Sequence, residues 1–522
     1  MLFIPELVQD VMDYLHSYGA SHHAIDDAGL VCKPWREAAL TSKWRDAKLV
    51  PLISLLVGAR VEKWAYSNPL SKEDWGRFDN VARRVITLHA PRWCSVPVSV
   101  LVAMAGSNFD RDVALFPRLR TLDMEWSLER DVTQLMAFLP ENLERFDVGI
   151  DGGEYEKGPT IDFMALLPQR FGNLSELALY SLSDANDDFT DAIATVLPQL
   201  PKLRHVWLSS VKLTSKMAVS LAGMSFLEEL HLRLCPTETV SELLLERWNP
   251  NSFPTLSTLN IPMRFEEATA SLLYTLSGPN FRSLSTLKLM QKNATSVVEM
   301  EVNRVLRAIQ VHSVLLHLTL ESMDLQGVSA RALHPLSSLH KLKTLEVSLK
   351  AASMRIHDTD VEELLEHLPN LESLTLALEE DSKYILTLKT LVSALNLCPL
   401  LSRVGLLVDA STSLIPEPTQ LPHRNIRSLA FGDLMDSHRV SHLESAAKIA
   451  AFISKLSDNV LEITWGDEDC CRDDGDGDGD RAASKIWQEV HDLVPIFQEV
   501  RRYERMRFLG GEVVSGYPPA NL

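Results

Sequence analysis

The sequence predicts an α/β fold: a short helical module at the N-terminus, then a long irregular solenoid of stacked strand–turn–helix units. In such a solenoid parallel strands line the concave face and helices the convex face. Three observations lead there. A six-residue pattern, apolar-x-x-apolar-x-apolar, returns through most of the 522 residues. Prolines recur at a set distance ahead of it. The first stretch of the chain lacks it and reads as amphipathic helix.

The pattern reads LRTLDM at 119–124, LERFDV at 143–148, LSELAL at 174–179, LRHVWL at 203–208, LEELHL at 227–232 and LSTLNI at 256–261. It continues as LSTLKL at 284–289, LLHLTL at 315–320, LKTLEV at 342–347, LESLTL at 371–376, LSRVGL at 401–406 and IRSLAF at 426–431. Weaker copies begin at Val85 and Val460, and the spacing averages about 29 residues. In a strand, residues two apart share a face, so the second and third apolar positions point together into a core. The first is expected to begin the strand and cap the layer. A single unit cannot bury its leucines alone, so units stack with their strands parallel. An ordinary α/β domain with Leu-rich strands is the competing reading, and the number of matches in register argues against it.

Pro117, Pro201, Pro254, Pro369 and Pro399 each stand two residues before a copy's first apolar position. Proline cannot continue a helix, so these residues end one element and start an extended one. Ahead of them lie amphipathic stretches at helical spacing: Asp191–Leu197, Val240–Trp248 and Asp360–Leu368. The expected organisation is a helical module at 1–48 and a helical linker at 49–84. The repeat array follows at 85–510, interrupted by an acidic loop at 466–481, with a C-terminal tail at 511–522.

The charge balance narrows the partners. With 51 Lys+Arg against 70 Asp+Glu the formal net charge is −19. Neutralising phosphates takes basic residues, so neither nucleic acid nor an anionic membrane is an expected partner. The apolar runs Leu49–Ala59 and Val96–Ala105 are too short to span a bilayer. The N-terminus has no basic start or cleavage site of a signal peptide. The six cysteines form no Cys-x-x-Cys pair and fit free thiols in a reducing compartment. Cytoplasm or nucleus is the expected location, where the acceptor patterns at Asn173 and Asn293 are chance matches.

The repeated residues resemble the leucine-rich-repeat family over roughly four-fifths of the chain. That family places Asn or Cys three residues beyond the core pattern, and only LEELHLRLC, ending in Cys235, keeps it clearly. The departure implies an irregular array.

Residues 4–47 carry a second resemblance. IPEL at 4–7, DYL at 13–15 and LVCKPW at 30–35 are similar to the F-box, and KWRDAKLVPLISLL at 43–56 looks like the linker of fungal F-box proteins with C-terminal leucine-rich repeats. Pro5 and Glu6 suit a helix start, and Ile4, Leu7, Val8, Val11, Met12 and Leu15 share a helical face. The loop between the two motifs, with His22-His23 and Asp26-Asp27, is longer than the family's. A segment this short has too little core to stand alone, so its apolar face needs cover. The resemblance implies that a Skp-type adaptor, and through it a cullin scaffold, supplies that cover. The adaptor would meet Ile4, Pro5, Leu7, Val8, Val11, Leu15, Leu30, Val31 and Trp35, with Trp35 and Cys32 the most inward. It implies a non-enzymatic substrate receptor of a ubiquitin ligase, whose repeats hold an unknown protein target. The alternative is a leucine-rich-repeat scaffold whose N-terminal helices only cap the array.

Other chemistry is weak. DDGDGDGD at 473–480 invites a calcium loop, but the twelfth position is Lys485 rather than a bidentate Glu, so a solvated acidic loop is expected. No metal, cofactor or catalytic set is expected: the histidines lack companions at ligand spacing, and no phosphate loop or nucleophile elbow is present. The concave face offers candidate contacts for the target: Tyr180, Arg204, His205, Trp207, His231, Arg233 and His317. Aromatic and Arg residues on an exposed sheet suit interface anchors, and the arginines suggest an acidic or phosphorylated target.

Overall fold

The structure, a computed structural model, describes residues 5–17, 22–57, 72–90, 115–124, 139–150, 157–181, 187–209, 211, 214–233, 248, 252–263, 267–276, 283–291, 299–323, 328–349, 354–378, 386–406, 408–409, 426–431, 443–457, 460–465 and 478–508. They fall into two units, Met1–Leu256 and Ser257–Leu522.

The first unit opens with helices α1 (Pro5–Ser17), α2 (His22–Ala28) and α3 (Lys33–Arg45). Its strands are β1 (Asp46–Lys48), β2 (Thr87–Ala90), β3 (Thr121–Met124), β4 (Arg145–Ile150), β5 (Glu176–Ser181), β6 (His205–Ser209) and β7 (Glu229–Arg233). Each pairs in parallel with the next in chain order. Helices at Leu49–Val57, Lys72–Ala82, Lys157–Arg170, Asp187–Val196 and Ser215–Ala222 connect them.

The register follows from burial. The third residue of each copy faces the third residue of the next, as in Thr121↔Arg145 and His205↔Glu229. This lines up two buried columns, one through Leu122, Phe146, Leu177, Val206 and Leu230, the other through Met124, Val148, Leu179, Leu208 and Leu232. A slip by one residue would turn both columns to water.

The first apolar position behaves differently from expectation. It does not begin the strand, which starts two residues later; it is buried in the turn before it. Its N–H closes that turn on the carbonyl three residues back: Leu119 on Phe116 at 3.2 Å, Leu203 on Leu200 at 3.2 Å, Leu371 on Leu368 at 3.2 Å, Leu401 on Cys398 at 3.1 Å. The recurring proline therefore occupies the second position of a turn, where its fixed φ fits. Entry into each strand uses one carbonyl for two donors. Glu144 and Arg145 N–H both donate to Arg120 O, at 2.8 and 2.9 Å, and Arg204 and His205 N–H both to Ser175 O, at 2.8 and 3.0 Å.

The second unit repeats the plan. Its strands are β8 (Thr258–Met263), β9 (Thr286–Gln291), β10 (His317–Met323), β11 (Thr344–Leu349), β12 (Ser373–Leu378), β13 (Arg403–Leu406), β14 (Ser428–Phe431) and β15 (Glu462–Trp465). Each is again parallel to its neighbour in chain order. Helices at Glu267–Leu276, Glu299–Gln310, Asp358–Leu365, Leu388–Leu397 and Leu443–Leu456, with a 3-10 helix at Ala330–Ser338, alternate with the strands. A long helix, Asp478–Phe508, packs on Leu443–Leu456: Gln498 Nε2 donates to Ser457 O at 2.9 Å and Arg501 Nε to Ser454 Oγ at 2.9 Å.

Several details depart from the sequence reading. The sheet begins at β1, inside the segment read as helical module. The presumed loop between the N-terminal motifs holds α2, because Ile25 is fully buried and anchors it. Cys32 is exposed, not inward. The helix expected over Val240–Trp248 lies outside the described residues except for Trp248, as do Ile4, loop residues 466–477 and the tail. Asp478–Asp480 open the last helix. No described helix is long and apolar enough to cross a membrane.

Candidate protein-interaction surfaces

Two surfaces collect the residues singled out from sequence. The first is the helical module. Val8, Met12, Ile25, Ala38 and Ala39 form a small core, with Leu15, Ala28 and Trp35 packed partly buried against it. Val8 therefore turns inward, 9% exposed, and Met12 is fully buried. On the opposite side of α1, Leu7 is 57% exposed, Val11 45% and Tyr14 57%. These recur at i, i+4 and i+7, one helical stripe. Just before α3, Leu30 is 82% exposed and Val31 67%. Tyr14 joins the stripe beside the residues named from sequence, and its helical spacing is the signal that marks it. For Pro5 only the helical backbone is described.

The module is held in place by polar contacts around its rim. Ser42 Oγ donates to Met12 O at 3.1 Å, Lys43 pairs with Asp26 at 2.7 Å and Arg45 with Asp13 at 3.0 Å. Arg84, just after helix Lys72–Ala82, reaches back into α3. Its side chain is 8% exposed and donates to Glu37 Oε2 at 2.6 Å, Thr41 Oγ1 at 2.9 Å and Glu37 O at 3.2 Å. It also donates to Asn80 O at 3.0 Å. The Arg84 hydrogen bond holds the Glu37 carboxyl below its usual pKa, against a smaller effect of burial. This clamp gave no signal in the sequence.

The second surface is the sheet face of the first unit opposite the leucine columns. Trp207, half-buried on β6, lies beside His205 and His231, with ring centroids 5.8 and 5.5 Å away. Arg145 on β4 places its guanidinium 5.5 Å from the indole centroid, reaching over the small Ala178 on β5. Arg145 also pairs with Glu176 at 3.2 Å and Asp147 at 3.6 Å. Arg204 pairs with Glu228 at 2.8 Å, and His231 lies 3.7 Å from Glu229. Tyr180 is half-buried near the end of β5. Of Arg233 only the backbone is described. His317 lies in the second unit, its Nδ1 2.9 Å from Thr344 Oγ1. Among the described residues no group of three or more His, Cys, Asp or Glu could hold a metal ion.

The fold defines a class: a leucine-rich-repeat-like protein, built from parallel strands and alternating helices. No family model matches the chain, and no curated protein does. Among solved structures, the yeast Rad7–Elc1 complex aligns with a TM-score of 0.43 and 17% identity, over 74% of this chain and 90% of that one. The leucine-rich-repeat-containing protein LegL7 from Legionella pneumophila aligns with a TM-score of 0.33 and 12% identity, over 69% and 94%. Both TM-scores are too low for function to follow from them.

Proposed function

We propose that this chain is the substrate-recognition subunit of an SCF-type (Skp–cullin–F-box) ubiquitin ligase. The helical module docks on a Skp-type adaptor, and through it a cullin scaffold, while the repeats hold a target protein. The observation that carries this is the division of the module's apolar residues. Met12, Val8 and Ile25 build its own core, yet Leu7, Val11, Tyr14, Leu30 and Val31 remain outside it. Covering each such side chain is worth roughly 1.5–3 kcal/mol before the costs of association, a strong incentive for a second protein. The chain then acts by proximity, raising the effective concentration of a target lysine near the transfer machinery.

Of the sequence-derived contact residues, Leu7, Val11, Leu30 and Val31 fit this face, with Leu15 and Trp35 at its inner margin and Val8 beneath it. The test is capture of a Skp-type adaptor by the purified chain. Leu7→Asp with Val11→Asp should abolish capture without unfolding, since both side chains already meet water. Undiminished capture by the double variant would overturn the assignment.

A second reading has one observation in its favour. The Arg84 clamp binds α3 to the start of the array, as a cap would require. If capping were the module's whole role, the wild-type chain would leave the adaptor uncaptured.

A further inference from the structure

We infer that an open groove along the strand-entry rim of the first unit is a docking site for an extended acidic segment of a partner protein. This rests on the target-binding half of the function proposed above and is independent of the adaptor half.

The groove is built by the turns that lead into consecutive strands. Arg45 precedes β1, Arg118 and Arg120 precede β3, Glu144 precedes β4, Asn173 precedes β5 and Lys202 precedes β6. Stacking in register sets these turns side by side. Four cations thus line the groove against one carboxylate, Glu144, in a chain of formal net charge −19. Arg120 pairs with Glu144 at 3.1 Å, and Arg45 with Asp13 at 3.0 Å. Asp13 lies in the adjoining hollow against the helical module, together with Asp46, which is 3.7 Å from His16. Setting both paired carboxylates against the groove leaves Arg118 and Lys202 unmatched. Arg118 is exposed and has no ion pair among the described residues. Lys202 is exposed and donates to a neutral acceptor, Asn173 Oδ1, at 2.6 Å.

Spacing decides which anion fits. The turns before β3 and β6 stand three strand spacings apart, about 14 Å, with Glu144 between them. One phosphate cannot reach both unmatched cations across that carboxylate. An extended chain advances about 3.3 Å per residue, so acidic side chains about four residues apart meet both. Arg118 can hold a carboxylate through two parallel N–H bonds, and Arg120 can join it because its pair with Glu144 is exposed on both sides and weak. Among the described residues that line the groove none is aromatic, so a nucleic-acid strand finds no face here on which to stack its bases.

The experiment uses the full chain and fluorescein-labelled ligands, read by fluorescence anisotropy. The ligands are a twelve-residue peptide alternating Ser with Glu, a Ser-Gly peptide of the same length with one phosphoserine, and a twelve-nucleotide oligothymidylate. The Glu peptide should bind with an affinity that falls as salt rises, and the other two several-fold more weakly. Arg118→Gln with Lys202→Gln removes the two unmatched cations and should weaken Glu-peptide binding at least tenfold. Both side chains already meet water, so thermal melting should not move. Lys341→Gln with Lys343→Gln removes as many charges from the second unit and should change binding less than twofold. No binding of the Glu peptide, or a loss no greater for the first pair than for the second, overturns the inference. Tighter binding of the phosphoserine peptide assigns the groove to phosphate, and tighter binding of oligothymidylate assigns it to nucleic acid; either overturns it. Adaptor capture by the Arg118→Gln, Lys202→Gln variant should match wild type, and its loss without a change in melting would give the groove to the adaptor and overturn the inference. A wild-type chain that binds the Glu peptide yet captures no adaptor refutes the adaptor half alone.

Discussion

Replacing Arg84 by methionine removes a guanidinium that the fold holds almost out of water, 8% exposed at its side chain. Methionine keeps much of the apolar stem, so the change isolates the polar contacts. The partner carboxylate on Glu37 is 54% exposed, and an ion pair that wet contributes at most about 1 kcal/mol. The larger loss comes from acceptors left behind: Glu37 O, Thr41 Oγ1 and Asn80 O all take hydrogen bonds from this side chain. Hydrogen bonds from a charged donor contribute about 1.5–3 kcal/mol, and sharing among neighbouring acceptors keeps the total near 2–3 kcal/mol. Because the contacts join α3 to the first turns of the array, the loss should appear as local opening of the module rather than global unfolding. Hydrogen exchange of the α3 amides should accelerate roughly 30- to 100-fold, at tenfold per 1.4 kcal/mol. Glu37→Gln, which touches only the exposed pair, should change the same amides by less than about fivefold. Equal effects of the two substitutions, or no effect of Arg84→Met, would refute the view that buried hydrogen bonds clamp the module.

Three further outcomes follow from the second unit. His312 is buried with a ring nitrogen 3.1 Å from Leu273 O, and burial pushes its pKa below the usual value, only partly offset by that bond. The folded state thus binds fewer protons than the unfolded one. Urea-unfolding stability of this unit should fall as pH drops below about 6.5, by up to about 1.4 kcal/mol per pH unit, and His312→Leu should remove that slope. Burial opposes the Asp358 carboxylate, yet donors from Thr387 N–H, the Thr387 hydroxyl and the Thr390 hydroxyl hold its pKa below the ordinary carboxylate range. Its contribution is complete above the unfolded pKa and lost as pH falls through the lower folded value; at pH 7, Asp358→Ala should cost about 2 kcal/mol in chemical unfolding by leaving these donors unpaired. The Cys398 thiol is buried, donates to Leu368 O at 3.4 Å and is pushed up to about 12, so iodoacetamide at pH 8 should label Cys32 and spare Cys398 until urea is added, read by peptide mass spectrometry.

The repeat architecture was legible because it is written in a period. Every described strand of the two main ladders falls on a copy of the six-residue pattern except β1, whose Asp-Ala-Lys has a single buried side chain and no period to detect. Apolar spacing marks Leu119 and its equivalents as core but does not separate strand from turn, because it does not reveal which carbonyl closes a turn. The module's outward stripe was visible from helical spacing. Val8 was not separable from Leu7 and Val11, since only the packing of Ile25 and Met12 decides which side of α1 faces in. The Trp207 surface was half legible. Alternation placed His205, Trp207 and His231 on the open face, but the pairing of Arg204 with Glu228 and of Arg145 with Glu176 depends on strand register. Arg84 was invisible, because Glu37 O, Glu37 Oε2 and Thr41 Oγ1, which accept its hydrogen bonds, lie more than forty residues away in the chain.

What covers the N-terminal apolar face decides the role of the helical module. Hydrogen–deuterium exchange of the intact chain, with and without a purified Skp-type adaptor, measures this without any substitution. Protection should appear along α1 and across the Leu30–Val31 approach to α3, leaving the β8–β15 amides as they were. Unaltered exchange at those N-terminal amides in saturating adaptor would contradict it.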